Sequence, residues 1–186
     1  TKSIAISPDN PGKLNWFLMC ALGLIWGGSF LFIKISLETV GPWTSAAMRT
    51  LIAGILLSTI APTMGQKFTH IQNLKSWVFG ILIGVVSIAL PLYLLSWGQQ
   101  HVSSAFAGVS MSSIPLLVLP LVYIFSPDES IGPRRIIGFL LGFLGIIVLF
   151  DLETTEIGTN LTEVLGQLAC FMAALCYAVG SVLTRN

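Results

Sequence analysis

The sequence predicts an all-α bundle of membrane-spanning helices. Three observations carry that class. Apolar residues make up 54% of the 186-residue chain and charged residues 9%, against about 25% charged in a typical soluble domain. Mean hydropathy is +0.88. The apolar residues gather into six runs near the roughly 20 residues that a helix needs to cross a hydrocarbon core. Stretches such as residues 136–150 show no alternation of the kind that barrel strands require, and lipid offers an open backbone no partner, so the spans are helices. This composition excludes a soluble domain, a disordered chain and a nucleic-acid binder. The net charge of +1 offers no pull on an acidic partner.

The first span covers residues 16–36. Its apolar run is too long for a signal peptide, and no small-residue cleavage site follows it. Trp26 stands in mid-span beside Gly27, Gly28 and Ser29, as the wall of a cavity or as helix packing; small neighbours admit either approach. The second span, 43–62, contains Arg49. The third, 77–97, carries Pro91, with Tyr93 and Trp97 four apart at its outer end, followed by Gln99 and Gln100. The fourth, 102–126, is the most polar, carrying Ser103, Ser104, Ser110, Ser112 and Ser113 with Pro115 and Pro120. Proline removes a backbone donor and kinks a helix. Pro91, Pro115 and Pro120 are therefore hinge candidates. Phe106, Ser110 and Ser113 fall three and four residues apart on one face, a candidate polar lining that Ser103 extends. The fifth span covers 135–150 and the sixth 163–184. Glycine pairs Gly23/Gly27, Gly80/Gly84 and Gly138/Gly142 read as helix-packing surfaces. Cys20, Cys170 and Cys176 read as small packing residues.

Charge sets the orientation. Seven of the nine basic residues (Lys2, Lys13, Lys67, Lys75, Arg134, Arg135 and Arg185) fall on one side of this ladder, which places the N-terminus in the cytoplasm. The segment bearing Asp151, Glu153, Glu156 and Glu163 has no base and falls outside. Lys34 and Arg49 lie within the apolar runs, near their outer ends. Snorkelling anchors would account for both, with Glu38 within reach as a partner. Trp16, Trp43, Trp77 and Trp97 sit at span ends, as interfacial anchors do. His70 and His101 fall in opposite loops, so no metal site is expected. No cofactor is expected either. No GxxxxGK[ST] phosphate loop is present, so any transport draws on a gradient. The spans hold no Asp and no nucleophile–base pair, which argues against an enzyme.

The chain also repeats itself. At an offset of 151 residues, Trp26 meets Tyr177, small residues follow both, and Lys34 meets Arg185. Five spans separate the copies. An odd number inverts the second copy relative to the first, a construction common in secondary transporters. Completing the repeat would take about four more spans. The expected organisation is a cytoplasmic segment 1–15, a five-helix repeat 16–150, an acidic external loop 151–162, and 163–186 as the first helix of a second repeat. The chain opens on Thr1 and stops at Asn186 directly after an apolar run, and it reads as a fragment.

Four stretches then resemble a known family: Ile25-Trp26-Gly27-Gly28-Ser29-Phe30 ending in Lys34; Ala46-Ala47-Met48-Arg49; Ser103 to Ala107 followed by Ser113-Ile114-Pro115-Leu116; and the glycine-spaced run Gly138 to Leu149, with Glu129 before it. In order and spacing the chain resembles the EamA type of the drug/metabolite transporter superfamily. The resemblance implies ten helices in two inverted five-helix repeats, a bacterial inner membrane location, and export of a small metabolite or drug-like solute by alternating access. It implies no particular substrate. The family's small four-helix relatives use a glutamate inside the first span, and here no acid precedes Glu38. Substrate-cavity candidates are Trp26, Ser29, Phe30, Tyr93, Trp97, Phe106, Ser110 and Ser113. Expected partners are a small solute, the lipid bilayer, and the remainder of the second repeat or a second copy. The competing reading is a non-transporting structural or assembly subunit.

Overall fold

A computed structural model describes residues 12–65, 73–125, 133–156 and 160–184. Eight α-helices occur among the described residues: α1 Lys13–Ser36, α2 Pro42–Ile60, α3 Leu74–Gly84, α4 Leu90–Gly98, α5 Ser104–Ser112, α6 Ile114–Phe125, α7 Pro133–Glu156 and α8 Leu161–Leu183. No strand occurs among the described residues. Five helical stretches among them are long and apolar enough to cross a membrane, and α7 holds a shorter apolar stretch, Ile136–Gly145. The protein is an all-α polytopic membrane bundle. Expectations placed on His70, Glu129, Lys2, Lys67 and Arg185 lie outside the described residues.

Local chemistry explains the boundaries. Pro42 opens α2 at a position where its missing N–H costs nothing. A 3₁₀ turn over Ala61–Met64 then ends at Gly65, whose φ of 80° suits a residue without Cβ. Asn73 caps α3 by accepting from the Lys75 amide at 3.1 Å, and Ser103 caps α5 by accepting from the Phe106 amide at 3.0 Å. The third span is α3 and α4 joined through a π turn, Val85–Ala89. The amide of Leu90 reaches back five residues to the Val85 carbonyl, one residue further than in the α pattern. Pro91 follows directly and has no N–H for the carbonyl of Ser87, so the widened turn sits where the α ladder must fail anyway. The fourth span breaks at Ser113, between α5 and α6, with Pro115 as the second residue of α6. α7 extends through Glu156, so Asp151 and Glu153 continue a helix where the sequence suggested a loop.

Small residues decide which helix is central. Gly166, Ala169, Cys170, Ala173, Ala174, Ala178 and Gly180 are all buried on α8. They form a stripe that lets backbones approach closely. α8 therefore packs extensively against α4, α6, α5 and the π turn. Around it gather Ile33, Leu95, Val102, Phe106, Ala107 and Met111. By contrast Ile33 is the only buried residue of α1, which leans on α5.

The close approaches are not those the glycine spacing suggested. Nothing lies within 4 Å of a Cβ built on Gly23, Gly27, Gly80, Gly84 or Gly138. Of the six, only Gly142 meets a neighbour, the Leu116 side chain. The other tight positions, Gly98, Gly166 and Gly180, lie outside those pairs. Small-residue spacing permits contact on a helix face, and tertiary packing chooses which face receives it. Likewise Cys170 is buried but Cys20 is exposed, so only one end of that expectation holds.

Candidate functional site

Seating α8 against α4 and α5 brings Tyr177 across from α1. Between them lies a cavity of about 310 Å³, at the lower end of the size range of small-molecule sites. Trp26, Ser29 and Phe30 form its α1 wall, with Arg49 from α2, Leu92 and Leu95 from α4, Met111 from α5 and Tyr177 from α8. A wider groove of about 720 Å³ runs between α1 and α2, floored by Gly28, Phe32, Ser36, Ser45 and Met48. Ile25, Ser29, Ile33 and Arg49 line both. The two spaces therefore meet at the Arg49–Ser29 pair, where Arg49 donates from Nη2 to Ser29 Oγ at 2.8 Å.

The two bases of the apolar runs behave differently. Lys34 donates from Nζ to the carbonyls of Gln99 (2.6 Å) and Val102 (3.0 Å), the unsatisfied acceptors beyond the C-terminal end of α4. A cation there satisfies orphan carbonyls and meets the negative end of the helix dipole. Glu38 pairs with neither base, and it is exposed. Arg49 faces open space rather than carbonyls.

The sequence-derived candidates separate into three groups. Trp26, Ser29 and Phe30 line the cavity. Tyr93 and Trp97 share a helix face, yet each meets its own aromatic neighbour: Tyr93 lies over Trp43 with ring centroids 4.2 Å apart, and Trp97 stands edge-on to His101 at 4.9 Å. Phe106, Ser110 and Ser113 do lie on one face, and that face is sealed within the bundle, each side chain at most 2% exposed. Ser113 Oγ donates to its own helix at the Ser110 carbonyl (2.6 Å), and Ser110 Oγ has no partner among the described residues. Pro91 is buried beside the π turn, while Pro115 and Pro120 are exposed on α6. Pro91 follows the π turn and Pro115 stands at the start of α6, whereas Pro120 lies inside α6, which continues through it. Tyr177 was not among the candidates, although the repeat offset pairs it with Trp26. Arg49, for which the sequence alone suggests an anchor, also lines the cavity.

Comparison with known proteins gives this geometry a context. The model of the EamA-like transporter family matches residues 14–151. Among curated relatives, a WAT1-related chloroplastic protein of Arabidopsis thaliana is 30% identical over 92% of this chain and 41% of its own length. The uncharacterized inner membrane transporter YedA of Escherichia coli is 30% identical over 87% of this chain and 50% of its own. The uncharacterized transporter YoaV of Bacillus subtilis is 24% identical over 87% and 54%. The chain thus spans about half the length of the curated relatives it matches. No solved structure matches it.

Proposed function

The chain belongs to the EamA-like transporter family, and we propose that it forms part of a secondary-active transporter that moves a small metabolite or drug-like solute outward, chemically unchanged. The mechanism we assign is alternating access between two inverted repeats, with the solute held between α1, α4 and α8. One observation carries this reading. Trp26 and Tyr177, matched at the repeat offset of 151 residues, both line one cavity. A site between inverted repeats would be walled in this way by matched positions of both. The apolar exposure of α1, where Trp26 is 61% and Phe32 72% exposed, suits burial against the remainder of the second repeat or a second copy. A bacterial inner membrane, with the N-terminus in the cytoplasm, accords with the charge ladder and with the name of YedA. The π turn beside Pro91 and the break at Ser113 are natural places for bending during access.

The test is flux. The natural full-length product, reconstituted in proteoliposomes, should release a preloaded panel of aromatic metabolites when a solute gradient is imposed. Trp26→Ala should lower release at least about tenfold, the scale of one lost buried contact, with an unchanged melting temperature. Flux indifferent to Trp26→Ala would remove the cavity from the path. Wild-type vesicles that release nothing would favour the structural-subunit reading.

A further inference from the structure

One guanidinium faces the cavity without a counter-charge. Among the described residues the single hydrogen bond of Arg49 is the one to Ser29 Oγ, and no carboxylate pairs with it. A guanidinium carries five N–H donors in a rigid fork, so most of them remain available.

Its depth argues against snorkelling. Arg49 stands seven residues inside the start of α2 at Pro42, and Ser29 seven residues inside the end of α1 at Ser36. At 1.5 Å per residue, both lie about 10 Å below the outer ends of their helices. The side chain reaches sideways to α1 at its own depth instead of out to water. A charge held within a membrane segment is costly, and Lys34 shows how this protein satisfies one for structure alone: two backbone carbonyls at 2.6 and 3.0 Å. Arg49 has no such pair.

The surroundings select the ligand. Trp26, Phe30 and Tyr177 supply aromatic wall, and Leu92 and Met111 supply apolar wall. A planar fork matches a carboxylate bidentately. We infer that Arg49 recognises the substrate's carboxylate, and that the transported class is small organic acids, zwitterions included, with an aromatic or alkyl body. The carboxylate sits where the two spaces meet, and the apolar body lies against Trp26 and Tyr177. Ser29 is a positioning residue that holds the guanidinium. This deepens the transport reading above and rests on it.

Matched acid and amide pairs test the charge alone. The full-length product in phosphatidylcholine nanodiscs is titrated calorimetrically at pH 7 with benzoate and benzamide, 3-phenylpropanoate and 3-phenylpropanamide, and octanoate and octanamide. In the wild type the acid of at least one pair should bind about tenfold to a hundredfold more tightly than its amide, the range of a charge-assisted hydrogen-bonded pair. Arg49→Gln should collapse that ratio towards unity, and Arg49→Lys should keep part of it. If Arg49→Gln fails to fold, Ser29→Ala is read instead, and the acid-to-amide ratio should fall there too. Acids and amides bound alike by the wild type would overturn the inference while leaving the transport reading in place. So would a ratio that survives Arg49→Gln, or that survives Ser29→Ala where Arg49→Gln does not fold. No binding by any probe of either kind would count against the cavity as a substrate site, and both readings would fall together.

Discussion

Replacing Gly98 with alanine should destabilise the protein, although alanine is the better helix former. A Cβ at Gly98 would stand 2.7 Å from Cys170 Sγ and 2.7 Å from the Gly166 carbonyl oxygen, where ordinary contact begins at 3.4 Å. The sulfur can turn aside. The carbonyl belongs to the backbone of α8 and cannot, so α4 and α8 must part by several tenths of an ångström. A gap of about 0.5–1 Å forfeits a quarter to a half of each dispersion contact it opens, and this is the most extensive helix–helix interface of the bundle. Overpacking of this kind costs about 1–3 kcal/mol. Against it stands a helix-propensity gain of about 1 kcal/mol for alanine over glycine. The net cost is about 0–2 kcal/mol, up to roughly 8 °C for a chain of this size. Thermal unfolding of the full-length product in detergent, followed by tryptophan fluorescence, reads the shift. Gly80→Ala is the internal control: same span, nothing within 4 Å, and an expected melt equal to or above wild type. Adding Cys170→Ala to Gly98→Ala removes the sulfur contact and keeps the carbonyl one, so recovery should be partial. Gly98→Ala melting above the wild type, or Gly80→Ala falling as far as Gly98→Ala, would refute the close crossing.

Three further substitutions probe other parts of the fold. Lys34→Met keeps the apolar stem and deletes the two hydrogen bonds to Gln99 and Val102; it should cost about 2–3 kcal/mol, and an unshifted melt would show that the ammonium is not holding the end of α4. Phe106→Ala empties a side chain that is 1% exposed and should cost about 3–5 kcal/mol, far more than Trp26→Ala by the same assay. Ser103→Ala removes the cap of α5 and should cost about 1 kcal/mol. Hydrogen exchange at the Phe106 amide should then rise, and unchanged protection there would deny the cap.

The spans were legible because their signal is additive: twenty apolar letters outweigh any local ambiguity, so the predicted helices recur within a few residues. Proline gave the irregularities by the same directness, since a missing N–H at Pro91 must show somewhere in the ladder. Facing was another matter. Phe106, Ser110 and Ser113 occupy one face as their spacing requires, but spacing cannot say whether protein or open space fills that face. Here α8 fills it, through Cys170, Ala173 and Ala174. The misassigned glycine pairs have the same origin. In a soluble protein, polarity marks the outside of a helix. In a bilayer the lipid side and the packed side are both apolar, so α1 with one buried residue and α8 with nine present similar letters. Tyr177 was reachable by one further step, because its position follows from Trp26 and the repeat offset.

The two bases show where that limit bears on function. Lys34 and Arg49 are each a single cation in the outer half of an apolar run, Lys34 two residues from the end of α1 and Arg49 seven from the start of α2. What separates them is the acceptor each finds. Lys34 lies within reach of carbonyls that the end of α4 leaves orphaned, so its charge is consumed in holding the fold. Arg49 meets one hydroxyl, Ser29 Oγ, which accepts a hydrogen bond but neutralises nothing. A cation left uncompensated in an apolar setting raises the free energy of the empty protein and lowers it when an anion arrives. The penalty of leaving Arg49 unpaired is therefore recovered on binding, which makes the residue selective for charge in a way that the satisfied Lys34 cannot be.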